Sequence, residues 1–310
     1  MITYWKNQNG LVQIRQFEKD CWMNVVNPTP SEVSMLINKF KVPEEIVTDI
    51  LDTDERSRLE VEGKWLLIII RIPIHDPSST SQPFYTVPLG VLLSSNFMMT
   101  LCAQESDVIR ELTRYPYSQK INLNDKDDFI MHLFLRSATS YLKNLKQISI
   151  TSNQIEKDLS KLAKNEVLHK VLGMEKCLVY FITSLKSNEL LLAKIRSSRY
   201  PILNSVDEDD LEDVIIENKQ AIEMANIYSD IQKSMMNAYS SIISNNLNVI
   251  MKRLTSITIV VAIPTLVASF FGMNLLNTME TSIYGFGIAI LIASAITIGI
   301  TILFRKLNWF

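Results

Sequence analysis

The chain has 310 residues, with 31 Lys or Arg against 33 Asp or Glu and a formal net charge of -2. That length accommodates two domains, and the near-neutral balance argues against a polyanion-binding surface, so nucleic acid is not an expected partner. Cys21, Cys102 and Cys177 are odd in number and widely spaced, and His75, His132 and His169 are scattered, which argues against a disulfide framework or a zinc knuckle.

The first residues, Met1-Ile2-Thr3-Tyr4-Trp5-Lys6, carry neither the basic region nor the apolar run of a signal peptide, so the N-terminal part is expected to stay in the cytosol. Thr29-Pro30-Ser31-Glu32 reads as a helix start, with a capping Thr, Pro in the first turn and Glu three residues on. Pro43 to Asp52 reads as a second short helix. The Ile-rich run Trp65 to Ile72 predicts a buried strand. Val87 to Leu93 and Asn96 to Cys102 predict two more, separated by a short Ser-Ser turn. Residues 1–120 therefore read as an α/β unit. It contains no glycine-rich phosphate loop, Ser/His/Asp arrangement or HExxH, so nothing points to an enzyme.

Eight of the ten prolines lie at or before Pro116, and no glycine occurs between Gly173 and Gly272, so the second half is read as strongly helical. Asp127 to about Lys164 and Glu166 to about Ser198 carry i, i+3/i+4 apolar spacing and predict an antiparallel hairpin with its tip near Asn165. Ser205 can cap a further helix, with Asp207, Glu208, Asp209 and Asp210 suited to its N-terminus. Leu211, Val214, Ile215, Ile222, Ala225, Tyr228, Met235, Met236, Tyr239, Ile242 and Ile243 recur along it with helical spacing. From Leu211 to Phe271 such a helix would run roughly 90 Å at 1.5 Å per residue. It cannot bury its stripe alone, and copies of itself are the simplest partners.

Between Leu254 and Phe304 there is one charged residue, Glu280. Ile257 to Met273 and Ile283 to Phe304 are each long and apolar enough to cross a bilayer. Lys252 and Arg253 precede the first, Arg305 and Lys306 follow the second, and the loop between them has no Lys or Arg. The positive-inside rule places both termini in the cytosol and the loop outside, as expected of a cell-membrane protein. Pro264 removes an N–H inside the first span and frees the carbonyl of Val260. A wet pore wall would satisfy it.

The first span ends in Phe271-Gly272-Met273-Asn274. A Gly-Met-Asn tripeptide closing the first of two C-terminal spans, after a long helix and a basic pair, resembles the CorA family of magnesium transporters. The resemblance covers the whole chain in architecture. In sequence it is clearest from Ser244 to Asn274 and over Arg305-Lys306-Leu307-Asn308-Trp309-Phe310. Asp49-Ile50-Leu51-Asp52 with Asp54-Glu55-Arg56-Ser57-Arg58 is also similar to the family's pattern ahead of its central strand.

The resemblance implies an α+β cytosolic domain, a long stalk helix and two C-terminal transmembrane helices, assembled as a homopentameric funnel in the lipid bilayer. The expected division is 1–120 cytosolic α/β domain, 121–204 helical hairpin, 205–254 stalk, 255–273 pore helix, 274–282 outer loop, 283–304 second span and 305–310 basic tail. Family members carry Mg2+, often also Co2+ or Ni2+, driven by the membrane potential. Gly272, Met273 and Asn274 would form the outer entrance. Ser269, Thr265, Ala262, Thr258, Thr255, Leu254, Met251 and Asn248 would line the pore, with Met251 and Leu254 as a hydrophobic constriction. Mg2+ dehydrates reluctantly, and a ring of Asn274 carbonyls can accept hydrogen bonds from its waters without a deep electrostatic trap. Acids on the cytosolic domains bind regulatory Mg2+ in the family. Asp213 matches one such position, and Asp52 and Asp54 lie near the other. No organic cofactor is expected.

The sequence departs from the family at Ala262, small where a bulkier residue is usual, and at Phe271, where Tyr is usual. Its outer loop carries Glu280 without a second acid. Two other readings stay open here: a relative in the same superfamily that moves Zn2+ with protons, and a membrane-anchored scaffold or sensor that conducts nothing.

Overall fold

A computed structural model describes residues 1–8, 10–95, 97–114, 121–159, 165–197, 207–273 and 283–309. Pro201, Ser205, Asn274, Glu280 and the rest of the 274–282 loop lie outside the described residues. The chain divides into two compact units, Met1–Met236 and Asn237–Phe310.

The first unit is built on a seven-stranded sheet in the order β2-β1-β3-β7-β6-β5-β4. Its strands are β1 (Ile2–Asn7), β2 (Leu11–Ile14), β3 (Trp22–Val26), β4 (Arg58–Glu62), β5 (Trp65–His75), β6 (Phe84–Ser94) and β7 (Phe97–Cys102). Every pairing is antiparallel except β3 with β7. β5 is buried on both faces, which is why it reads as an unbroken apolar run rather than an alternating one. Trp65, Leu67 and Ile69 face the layer formed by α1 (Pro30–Asn38) and α2 (Glu44–Leu51). Leu66, Ile68, Ile70 and Ile72 face the opposite layer. Thr29 and Glu32 form the expected capping box on α1. Gly90 in β6 is required by packing: a Cβ there would collide with the Ile50 side chain of α2.

The opposite layer contains α3 (Asp107–Leu112), α4 (Lys126–Leu159) and α5 (Asn165–Ser197). The predicted hairpin helices are therefore present, and residues 160–164 at its tip lie outside the described residues. α6 runs unbroken from Glu208 to Phe271 with Pro264 inside it. Asp207 begins it, its carboxylate accepting from the Asp209 N–H at 2.9 Å and its carbonyl from the Leu211 N–H at 3.1 Å.

A buried polar cluster joins the sheet to α4 and α5. β4 pairs with β5 only as far as Ile69, so the Arg71 backbone has no strand on that side. The Asn188 side chain of α5 takes the place of the missing strand. Its Oδ1 accepts from the Arg71 N–H at 2.9 Å, and its Nδ2 donates to the Arg71 carbonyl at 2.8 Å. The Tyr141 hydroxyl donates to the same carbonyl at 3.0 Å. Pro88 lies opposite Arg71 on β6, and Arg71 directs its own N–H and C=O away from it, so the missing proline donor costs that pair nothing.

The second unit holds the end of α6 and α7 (Gly285–Lys306). Both helices are long and apolar enough to cross a membrane. α7 closes in a left-handed residue, Asn308 (φ 53°), and the Trp309 N–H returns to the Phe304 carbonyl at 3.0 Å. The Trp309 ring stacks on Phe304, 5.2 Å between centroids and 6° between planes.

Candidate ion pathway

Within the second unit α6 has two unlike sides. Ser256 and Ile263 are buried, and Val260, Val267 and Phe271 are partly buried. Their spacing of three or four makes one stripe. Toward its C-terminal end this stripe meets α7: Pro264, Val267 and Phe271 share a groove with Phe286, Ala289 and Ala293. Asn248, Met251, Leu254, Thr255, Thr258, Ala262, Thr265 and Ser269 are all exposed in the single chain. At about 100° per residue their stripe is centred roughly 180° from the buried one. The residues named as a pore wall thus share one face of α6, opposite the face that packs.

Two polar members of that face have a definite donor direction. Thr258 donates its hydroxyl hydrogen to the Leu254 carbonyl at 2.9 Å, and Thr265 donates to the Val261 carbonyl at 3.4 Å. A threonine oxygen whose hydrogen is committed to its own helix still carries acceptor lone pairs. Acceptors are what a hydrated cation needs, because its coordinated waters present hydrogens outward. Met251 and Leu254, 58% and 56% exposed, set an apolar band before the first of these threonines.

Gly272 follows the last helical residue, and its N–H bonds the Ala268 carbonyl at 2.9 Å. A Cβ there would lie 3.3 Å from that same carbonyl, a tight fit. The absence of a side chain thus eases the close of the helix. Met273 is exposed.

Asp213 is exposed on α6, and Asp52 and Asp54 are exposed just after α2. The Asp52 carboxylate accepts from the Asp54 N–H at 3.0 Å. Arg71 braces this turn from the sheet side, donating to the carbonyls of Thr53 and Glu55, each at 2.7 Å. Among the described residues no three His, Cys, Asp or Glu come together as a metal group. Asp213 is therefore not joined with Asp52 and Asp54 in such a group within one chain.

Two features were not anticipated from the sequence. One is the Asn188–Arg71 cluster, since a lone Asn on a helix reads as solvent-facing. The other is the ordered end of α7, whose available signal was Asn308 one residue past the helix cap.

A mixed sheet flanked by helices, a helix continuing into a membrane-length segment and a second such helix after it define a two-span membrane protein with a large extramembrane unit. A family model described as CorA-like Mg2+ transporter protein matches residues 18–306, and the chain belongs to that family. It is 26% identical over 292 residues to the cobalt/magnesium transport protein CorA of Methanocaldococcus jannaschii, covering 93% of this chain and 90% of the relative. It is 20% identical over 310 residues to the protein of the same description in Thermotoga maritima, covering 97% of this chain and 86% of that one. The complete structure of the CorA magnesium transporter from M. jannaschii superposes with a TM-score of 0.84 at 24% identity, covering 100% of this chain and 99% of that one.

Proposed function

We propose that this chain assembles as a homopentamer that conducts Mg2+ across the cell membrane down its electrochemical gradient, without an enzymatic step. The opposed faces of α6 carry this reading. One face packs, and the other offers threonine oxygens, a small residue at Ala262 and an apolar band at Met251 and Leu254. Around an axis, five such faces would enclose a wet path and leave the five α7 helices outside it.

Mg2+ is the cargo, with Co2+ and Ni2+ as further substrates. The relatives' names include magnesium and cobalt transport. An amide collar of Asn274 would receive the ion with its waters, which suits a cation that keeps its hydration shell. Binding there must be firm enough to admit the ion and weak enough to release it. Lys252, Arg253, Arg305 and Lys306 put both helix ends on the cytosolic side, so the segment bearing Glu280 faces out. Asp213, Asp52 and Asp54 act between neighbouring subunits as the brake applied by cytosolic Mg2+.

The test is Mg2+ entry into proteoliposomes carrying a Mg2+-sensitive dye. Asn274→Ala is expected to abolish entry while leaving oligomer size and thermal stability unchanged. Entry at the wild-type rate would overturn the reading.

A further inference from the structure

In the first unit α6 packs against α4 and α5 through small and large side chains together, with Ile222, Met224 and Tyr228 beside two buried alanines. Ala221 and Ala225, both at 0% exposure, meet Tyr141 and Leu145 of α4 and Leu178 and Phe181 of α5. Two buried amides flank this stretch. Asn218 donates to the Leu185 carbonyl of α5 at 3.1 Å. Gln232 donates through Nε2 to the Ser152 hydroxyl of α4. They lie two heptads apart, about 21 Å along the helix.

We propose that Asn218 and Gln232 are positioning residues that set the axial register and rotation of α6 against α4 and α5, and through it the aim of the pore face. Directional bonds from buried polar groups specify register where apolar contact alone would tolerate several. The two anchors are unequal. The Gln232 side-chain oxygen is buried without a hydrogen-bond partner among the described residues. A half-satisfied buried amide holds its register weakly, so Gln232–Ser152 is the contact that yields when α6 shifts. Packed helices move by such small shears between discrete arrangements. Because α6 continues unbroken to Phe271, a shift at Gln232 is carried along the same helix to Met251 and Thr258. The inference rests on α6 lining the ion path.

The experiment compares Gln232→Met, Ser152→Ala and the double variant in the full-length protein. Melting temperature is measured in detergent and initial Mg2+ entry in proteoliposomes, with Asn274→Ala alongside. Gln232→Met, which removes the half-satisfied amide, is expected to keep or raise the melting temperature, whereas Ser152→Ala strands that amide and lowers it. Each should change the entry rate about 2- to 30-fold in the same direction, the span typical of mutations that alter coupling. The double variant should do no more than either single one. Unchanged entry, changes of opposite sign, additive changes or a fall in the melting temperature of Gln232→Met would overturn the inference. Wild-type entry by Asn274→Ala would instead overturn the ion-path reading on which it rests.

Discussion

Asn188 occupies the point where the sheet runs out of strand. Its amide supplies both a donor and an acceptor to Arg71, and its Oδ1 also accepts from the Ser57 hydroxyl at 2.7 Å. At 1% exposure no water can replace it. Asn188→Ala leaves the Arg71 N–H unpaired in the interior and is expected to cost about 2–4 kcal/mol, seen as a clear fall in melting temperature. A shift within error would show that the cluster relaxes. Nothing local announced this role, because an amide in the middle of a helix acquires it only through a strand more than a hundred positions away. Thr258 and Thr265 are the opposite case. Their three-to-four spacing with Ala262 and Ser269 was legible as a face, but the direction of their hydroxyl hydrogens needed coordinates.

At the level of elements, the helices were legible and half the sheet was not. α4, α5 and α6 repeat their apolar residues with a helical period over many turns. β5 stands out because it is buried on both sides. β1 is only partly buried throughout, and β2 and β4 carry exposed residues at the sheet edges, so none of them forms an apolar run. The β4–β5 hairpin does carry a local sign. Gly63-Lys64 joins β4 to β5 as a two-residue loop with Gly63 at φ 58°, a common hairpin connection.

The contact between the starts of α4 and α6 carries a pH dependence. His132 Nδ1 lies 3.2 Å from an Asp128 carboxylate oxygen. That bond raises the His132 pKa against the opposing effect of burial and of nearby Arg136. Asp210 at the start of α6 is also raised, by burial first and then by Asp207 and Asp128. A raised histidine pKa contributes stability that is complete below the unfolded value near 6.5 and is lost as pH rises through the folded value. The raised Asp210 pKa acts in the same sense, at acidic pH. Melting temperature should therefore fall from about pH 6.5 upward, and His132→Gln should flatten that slope. An unaltered slope would remove His132 from the account.

For the whole molecule, the central claim is that one side of α6 faces water within the membrane while the opposite side packs. The three native cysteines are buried and can be replaced to give a silent background. The most direct measurement is the rate at which a charged, membrane-impermeant thiol reagent modifies single cysteines along α6 in proteoliposomes. Thr258→Cys, Thr265→Cys and Ser269→Cys are predicted to react, while Val260→Cys, Ile263→Cys and Val267→Cys stay protected. Equal protection of both sets, or the reverse order, would contradict a water-filled path along this face.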